Sequence, residues 1–543
     1  MAGMRLVTVA LALLVALAPR SGVAQTPRAA PAPLVDLFPA DTVAYVEIQL
    51  RTGDGKGAPL DRLLANLLGQ PALAAHAGPW GMLPQLARAA ALGVAAEDDE
   101  VRVVAALAAD DPALLLGLLQ RAELPARPVE PYAGLPVYAV EGEHSFFLAA
   151  TSAYLLAAND RDALAAALDR ALAGASAPPG LAANPRYRAA ISRLPANRIV
   201  TGYVDGENLV AWLEAGGPRP TRAVLPRETP PLLPGVPGAE QGLRGPAEPA
   251  QQTAVQTALG AFESGGLALA VQAVPEGLRT VLVVPSVGES ETPPSTSAAL
   301  GRVPADALVA AAGRGIGPRL EEALAQSELP LDELLPPDFD LNADLLDWLD
   351  GEYGVALLAP DAASPALGGF PLPTVALLFE VRDPAQVDAS LRHLAALAEQ
   401  AGWLPDGTPR EEQEAGVAVR RLPLFEGLEL TWGALGSWVF VTTGAAAPLA
   451  EAAAAGGLAA TPTYARLVRS LPTPNSGVFY VQVGDTLRWV DSLEEGPLAE
   501  VPADERWWRP LAARLGALVM ATGLPRGGWL EQVSVLQVLS AGY

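Results

Sequence analysis

The sequence predicts an α+β protein made of two tandem homologous domains, each a mainly antiparallel or mixed sheet packed with helices. Three observations carry this. First, LAANPRYRAAISRLPANRIVTGYVDGENLVAWLEA from Leu181 and LAATPTYARLVRSLPTPNSGVFYVQVGDTLRWVDS from Leu458 align without a gap. Leu181, Pro185, Tyr187, Leu194, Pro195, Tyr203, Val204 and Trp212 fall on Leu458, Pro462, Tyr464, Leu471, Pro472, Tyr480, Val481 and Trp489. Second, both halves repeat a strand, an Asp-Pro break and a helix, in VRVVAALAADDPALLLGLL from Val101 and TVALLFEVRDPAQVDASLRHL from Thr374. Third, both halves close on apolar runs broken by Pro-x-Gly, at Pro275 to Gly277 and Pro525 to Gly527, which reads as a hairpin turn. A chain of 543 residues also exceeds what one ordinary core organises.

The elements follow in order. Residues 1–24 read as a secretory signal peptide: Arg5 gives the positive start, Leu6 to Ala18 is apolar except for Thr8, and Gly22 and Ala24 precede a cut at Gln25. The run is shorter than the roughly 20 residues of a membrane span, so an uncleaved anchor is the lesser reading. Residues 25–33 are a flexible N-terminus and 34–284 the first repeat. Phe38 opens FPADTVAYVEI, a turn then a strand, and Val303 opens the matching VPADALVAAAG. At the central helices, Asp110 or Asp111 and Asp383 can accept the first N–H groups, and Pro112 and Pro384 suit the first turn. AYLLAANDRDALAAALDRALAG from Ala153 matches SWVFVTTGAAAPLAEAAAAGG from Ser437, again strand into helix. Pro195 and Pro472 end short helices, and Trp212 and Trp489 fall on the inward side of the next ones. The first repeat carries a Pro-rich insertion near 216–250, read as an extended loop. Residues 285–299 are a linker and 300–543 the second repeat.

Charge and cysteine content exclude several classes. The net charge is -24, and loss of Arg5 and Arg20 with the signal takes it to -26. That opposes nucleic acid and anionic membrane surfaces as partners. The chain has no Cys, which removes disulfides and a lipid-modified cysteine anchor. No later stretch reads as an integral membrane segment of the mature chain.

Motifs for chemistry are sparse. His76, His144 and His393 are the three histidines, with no HExxH spacing. There is no G-x-S-x-G elbow. Gly313, Gly315 and Gly317 follow a strand, as Gly53, Gly55 and Gly57 do in the first repeat, but GxGxG lacks the dinucleotide spacing and reads as a structural loop. The acidic segment PDFDLNADLLDWLDGEYG from Pro337 is the one metal candidate. Asp338, Asp340, Asn342 and Asp344 alternate like the first half of a calcium loop. Ala343 stands where that loop turns on Gly, and Leu349 where the closing carboxylate belongs, although Asp350 or Glu352 could close it at a changed spacing. The main reading is that Asn342 or Asp344 caps a helix carrying Trp348, with weak calcium binding as the alternative and no other cofactor.

The Pro-Ala-Asp start, NADLLDWLDGEYGVALL from Asn342 and LAATPTYARLVRSLP resemble bacterial exported proteins of the domain-of-unknown-function family 3352, from about Leu34 onward. Asp347, Trp348, Leu349 and Gly351 stand where that family has an acidic or Pro residue, Trp, an apolar residue and Gly. The first repeat departs, keeping Trp80 and little else. The resemblance implies export but supplies no activity and no catalytic residue. The expected function is therefore a non-enzymatic interaction or structural protein of the cell envelope, periplasmic or extracellular, with an envelope or extracellular protein as partner. The alternatives are a carrier of an apolar ligand or lipid, and a hydrolase whose site the sequence does not display.

Overall fold

Small and branched side chains alternate along the strands of this chain, and that alternation decides which sheet face the helices cover. The structure, a computed structural model, describes residues 33–50, 87–97, 100–121, 126–140, 145–173, 178–214, 265–286, 293–318, 320–321, 341–342, 346, 348–360, 366–367, 370–400, 402, 404, 408–425, 428–492 and 512–539. The predicted signal segment, Gly53, Gly55, Gly57, His76, His144, the predicted insertion near 216–250, Asp338, Asp340 and Asp344 lie outside these residues. The chain divides into two compact units, Met1–Pro275 with Thr280–Val287, and Glu276–Arg279 with Gly288–Tyr543.

Unit 1 contains β1 (Ala44–Gln49), β2 (Ala87–Glu97), β3 (Glu100–Ala109), α1 (Pro112–Arg121), β4 (Ala126–Tyr132), β5 (Leu135–Val140), β6 (Phe146–Ala150), β7 (Tyr154–Ala158), α2 (Arg161–Ala173), α3 (Pro185–Ile191), β8 (Val200–Asp205), α4 (Gly206–Glu214), β9 (Gly266–Val274) and all of β10 (Gly277–Pro285) but its first three residues. Its strands lie in the order β4-β5-β6-β7-β3-β2-β1-β8-β9-β10. The pairings from β4 through β9 are antiparallel.

Unit 2 contains β11 (Val309–Arg314), β12 (Glu352–Leu358), β13 (Ala366–Leu367), β14 (Phe370–Pro371), β15 (Thr374–Glu380), α5 (Pro384–Gln400), β16 (Arg410–Glu414), β17 (Val417–Phe425), β18 (Leu428–Leu435), β19 (Trp438–Thr442), α6 (Ala447–Ala455), α7 (Pro462–Leu467), β20 (Asn475–Gln482), α8 (Val483–Ser492), β21 (Leu515–Gly523) and β22 (Trp529–Val538). Its order is β16-β17-β18-β19-β15-β12-β11-β20-β21-β22, antiparallel throughout, with β13 and β14 as a separate hairpin.

Strand registers anchor both sheets. Tyr45 of β1 lies opposite Gly93 and Tyr203, while Ala310 of β11 lies opposite Ala356 and Tyr480. On the helix-covered face of β9, Ala268 and Ala270 are buried, whereas Leu267, Leu269 and Val271 on the other face are half-buried. β21 repeats this with Ala517, Val519 and Ala521 against Leu518 and Met520. Small side chains under the helices let them lie close to the sheet, and the larger aliphatics face away. At Gly93 a Cβ would stand 2.2 Å from the Phe38 ring, so glycine there admits an aromatic side chain onto the sheet.

One outer strand of each unit is guarded. β4 carries Pro128 and Pro131, which lack the N–H that a further strand would need. β16 reads REEQE and presents charge along its length. The expected caps form: Asp111 accepts from the Leu114 amide at 2.9 Å and Asp383 from the Ala385 amide at 2.9 Å. Asn184 and Thr461 cap α3 and α7, each followed by proline at the first helical position. Gly315 has φ of 72°, a left-handed conformation that glycine adopts freely, and Gly313 sits directly over the Tyr353 ring, so this loop's glycines serve backbone geometry.

Full inward burial of Trp212 and Trp489 needs correction: both are half-buried. Helices of two to three turns lying over β8 and β9, or β20 and β21, do not enclose an indole on every side.

Candidate functional site

Polar groups collect at three places within the units. In unit 1, Asp205 ends β8 with its side chain fully buried. Its carboxylate accepts from Arg186 Nη1 at 3.2 and 3.3 Å, Tyr203 Oη at 3.1 Å, Asn184 Nδ2 at 3.4 Å and the Asn208 amide at 3.1 Å. The last bond makes Asp205 the N-cap of α4. Arg186 also pairs with Glu207, and Tyr45 donates to Glu47. Phe38, Tyr45, Tyr187 and Tyr203 form a chain of edge-to-face rings with centroids 5.1, 6.1 and 5.1 Å apart. Burial raises the Tyr187 hydroxyl to about 12 and those of Tyr45 and Tyr203 further, helped by the neighbouring Glu47 and Asp205 carboxylates. These hydroxyls stay protonated donors at any physiological pH.

In unit 2, Glu352 is buried at the start of β12 and caps the turn Ala298–Gly301, accepting from the Thr296 amide at 3.0 Å, Thr296 Oγ1 at 2.6 Å and the Ala299 amide at 3.1 Å. These bonds engage Glu352 with that turn. Nearby, a groove of about 190 Å³ is lined by Asp388, Glu411, Arg420 and Trp432. Asp388 accepts from Arg420 Nε at 2.6 Å and Trp432 Nε1 at 3.0 Å, and pairs with Arg392 at 3.2 Å. Burial alone would raise its pKa, but these donors hold it below the ordinary carboxylate range. A carboxylate so occupied is a poor proton acceptor at neutral pH.

The third place is a cleft of about 120 Å³ in unit 1, between the Leu34–Leu37 turn, β2, β3 and α2. Asp41, Arg102, Asp162 and Arg170 line it together with alanines of α2. Arg102 is paired with Asp160 at 3.3 Å. Arg170 donates from Nη1 to the Ala166 carbonyl of its own helix at 3.1 Å, and its Nε is buried without a partner. Partial burial lowers the Arg170 pKa against the favourable field of Asp41 and Asp169.

Against this geometry the comparisons can be read. The family model described as "Protein of unknown function (DUF3352)" matches residues 82–522. The chain belongs to the DUF3352 family. No curated protein matches it. Among solved structures, crystal forms III and IV of TP0453 are each 12% identical to the chain with TM-scores of 0.28. Form III aligns over 49% of this chain and 83% of that one, and form IV over 47% and 81%. Likeness of that degree adds nothing to the site.

In this DUF3352 protein, Asn342 is the one member of the predicted acidic set among the described residues, and it is exposed. Trp348 and Leu349, of the family phrase, are buried with Val381, Val387 and Val439, and the Trp348 ring meets Phe379 edge-on at 5.3 Å. That phrase is therefore a packing motif. His393 lies on α5. Among the described residues no group of three or more His, Asp or Glu side chains is placed to hold a metal ion, and no helix is long and apolar enough to cross a membrane. Sequence reasoning missed Asp205, Asp388 and Arg170, and it named Glu352 only as a possible calcium ligand and not as a cap. Only Asp205 carried a signal, as an Asp-Gly-Glu run between a strand and a helix.

Proposed function

We propose that the chain is a non-catalytic, exported binding protein of the cell envelope built from two copies of one α+β unit, residues 34–284 and 300–543 joined by 285–299. The observation that carries the duplication is the register: Tyr203 and Tyr480, matched in sequence, each pair with the same position of the strand that opens their unit. Among the described residues one strand order serves both units, and each α-helix of one has a counterpart in the other. A non-catalytic role is favoured because the buried carboxylates Asp205 and Glu352 are saturated by caps and ion pairs that hold the fold together. Their donors leave no open position for a substrate proton. Export rests on Arg5, the short apolar run and the small residues before Gln25.

A second reading, an apolar-ligand or lipid carrier, is favoured by one observation. Val46, Leu92, Val204 and Leu269 share the sheet face away from the helices and are half-buried there. The proposal is tested by producing the full chain in a bacterial host. A mature N-terminus near Gln25 in the exported fraction is expected, and an intact Met1 in the cytosol overturns export. Polypeptides 34–284 and 300–543 are each expected to melt cooperatively alone, and failure of both overturns the two-copy reading. Organic extraction of the purified protein separates the two roles: a stoichiometric lipid selects the carrier.

A further inference from the structure

We infer that the unit 1 cleft is a binding site for a short amino-carboxylate zwitterion, with Arg170 taking the carboxylate and Asp41 and Asp162 the ammonium group. This rests on reading the chain as a binding protein and names a ligand class for it.

The cleft exists because of what α2 places on one face. Asp162, Ala163, Ala166, Ala167 and Arg170 recur at helical spacing, with charge at both ends and methyl groups between. Ala163 and Ala167 are buried and fill little space, so the floor stays open over about 120 Å³. Eight residues of helix separate the Cα atoms of Asp162 and Arg170 by about 12 Å, and the long arginine side chain shortens the distance between charges. That leaves room for a molecule of a few carbons with opposite charges at its ends.

Arg170 is the least satisfied cation of the cleft. A guanidinium carries five N–H donors, and here one bonds a carbonyl of its own helix while the buried Nε has no partner. Arg102 across the cleft likewise has a buried Nε without a hydrogen bond, but it is ion-paired with Asp160 at 3.3 Å, and Arg170 has no such pair among the described residues. Among the described residues no donor bonds the carboxylates of Asp41 and Asp162 and no ion pair holds them, although Asp41 lies in the field of Arg170. One open cation facing two open anions disfavours phosphate and other dianions, and it disfavours a neutral apolar ligand.

The second copy supplies an internal control. The β3–β7 and β15–β19 registers place Thr374 where unit 1 has Arg102. The aligned helices place Ala446 and Ala454 where unit 1 has Asp162 and Arg170. The fold is kept without these charges, so the fold does not require them.

The test is calorimetric titration of the full-length mature protein with 4-aminobutyrate, and with butyrate and butylamine as single-charge controls. Saturable binding of 4-aminobutyrate is expected, at least about tenfold tighter than either control. Arg170→Gln and Asp162→Asn are each expected to weaken it at least about tenfold while leaving the melting temperature unchanged. Butyrate binding as tightly as 4-aminobutyrate overturns the zwitterion assignment. Absence of saturable heat, or undiminished binding by well-folded Arg170→Gln, overturns the site. Neither result touches the mature N-terminus or the two half-chain melts, so the wider reading stands or falls separately.

Discussion

Tyr45 and Ala310 hold one register position in the two units, each opposite a tyrosine of the neighbouring strand, yet one is among the largest buried side chains and the other among the smallest. The difference continues around them. Unit 1 closes β8 on buried Asp205 and its donors, where unit 2 ends β20 on half-buried Gln482. Unit 2 instead buries Glu352 under its opening turn and Trp432 beside Asp388. One antiparallel order thus tolerates two unlike polar interiors. Alternation, register and caps define the sheet, and the buried charges tune each unit after the fact.

The largest test of that contrast is Tyr45→Ala, which makes unit 1 resemble unit 2 at this position. Phe38 and Tyr187 lose their shared ring, and a loss of about 3–5 kcal/mol is expected. Peptide-resolved hydrogen exchange on the full chain should show lost protection in unit 1 with unit 2 unchanged. A loss below about 1 kcal/mol would mean that the aromatic chain is dispensable, and that Ala310 is not its simple counterpart.

Asp205→Asn sharpens the comparison at the next strand end. The amide keeps an acceptor for the α4 cap but loses the charge that Arg186 faces, so a loss of about 2–3 kcal/mol is expected. Gln482→Ala in unit 2 should cost less than about 1 kcal/mol, because that side chain is half-buried and carries no charge. Equal losses in denaturant melts would erase the distinction between the two interiors.

Alkaline pH should separate the units without mutation. A tyrosine with a raised folded pKa contributes stability that is complete below its unfolded value near 10 and is lost as pH rises through the folded value. Tyr187, Tyr464 and Tyr480 are each raised to about 12, so each forfeits up to about 3 kcal/mol over that span. Unit 1 adds Tyr45 and Tyr203, both raised further. Limited proteolysis near pH 11 should therefore cut unit 1 first, and Tyr45→Phe should narrow the gap. First cuts in unit 2 would contradict the assignment.

What was legible beforehand follows from how local each signal is. Asp111, Asp383 and Thr461 act on amides within three residues, and Tyr203 and Tyr480 sit at matching positions of two similar sequence stretches. The alternation that buries Ala268 and leaves Leu269 half-buried is equally local. Asp205 meets partners 19 and 21 residues away, and Asp388 meets Trp432 across 44. Sequence spacing says nothing about such meetings, because only the strand order brings them together. Arg170 was illegible for a further reason: its character depends on donors left unused, and no residue pattern announces an absence.

The acidic segment of unit 2 sets the smallest expected effect, and it has no counterpart in unit 1. Asp338, Asp340, Asn342 and Asp344 supply alternating oxygens, but Ala343 and Leu349 replace the turn glycine and the closing carboxylate of a calcium loop. Glu352 is engaged with Thr296 and Ala299 and Leu349 is buried with Trp348, which leaves exposed Asp350 as the other carboxylate the spacing offers. A site of about millimolar affinity adds only about 0.4 kcal/mol at one millimolar calcium, whereas a micromolar site adds about 4 kcal/mol. The expected outcome is a melting temperature of the full-length mature protein that rises by less than about 2 °C when one millimolar calcium replaces chelator. The same small change is expected for Asp340→Asn. A rise of many degrees that Asp340→Asn abolishes would make the segment a true ligand set, and would give unit 2 a metal-dependent function that unit 1 lacks.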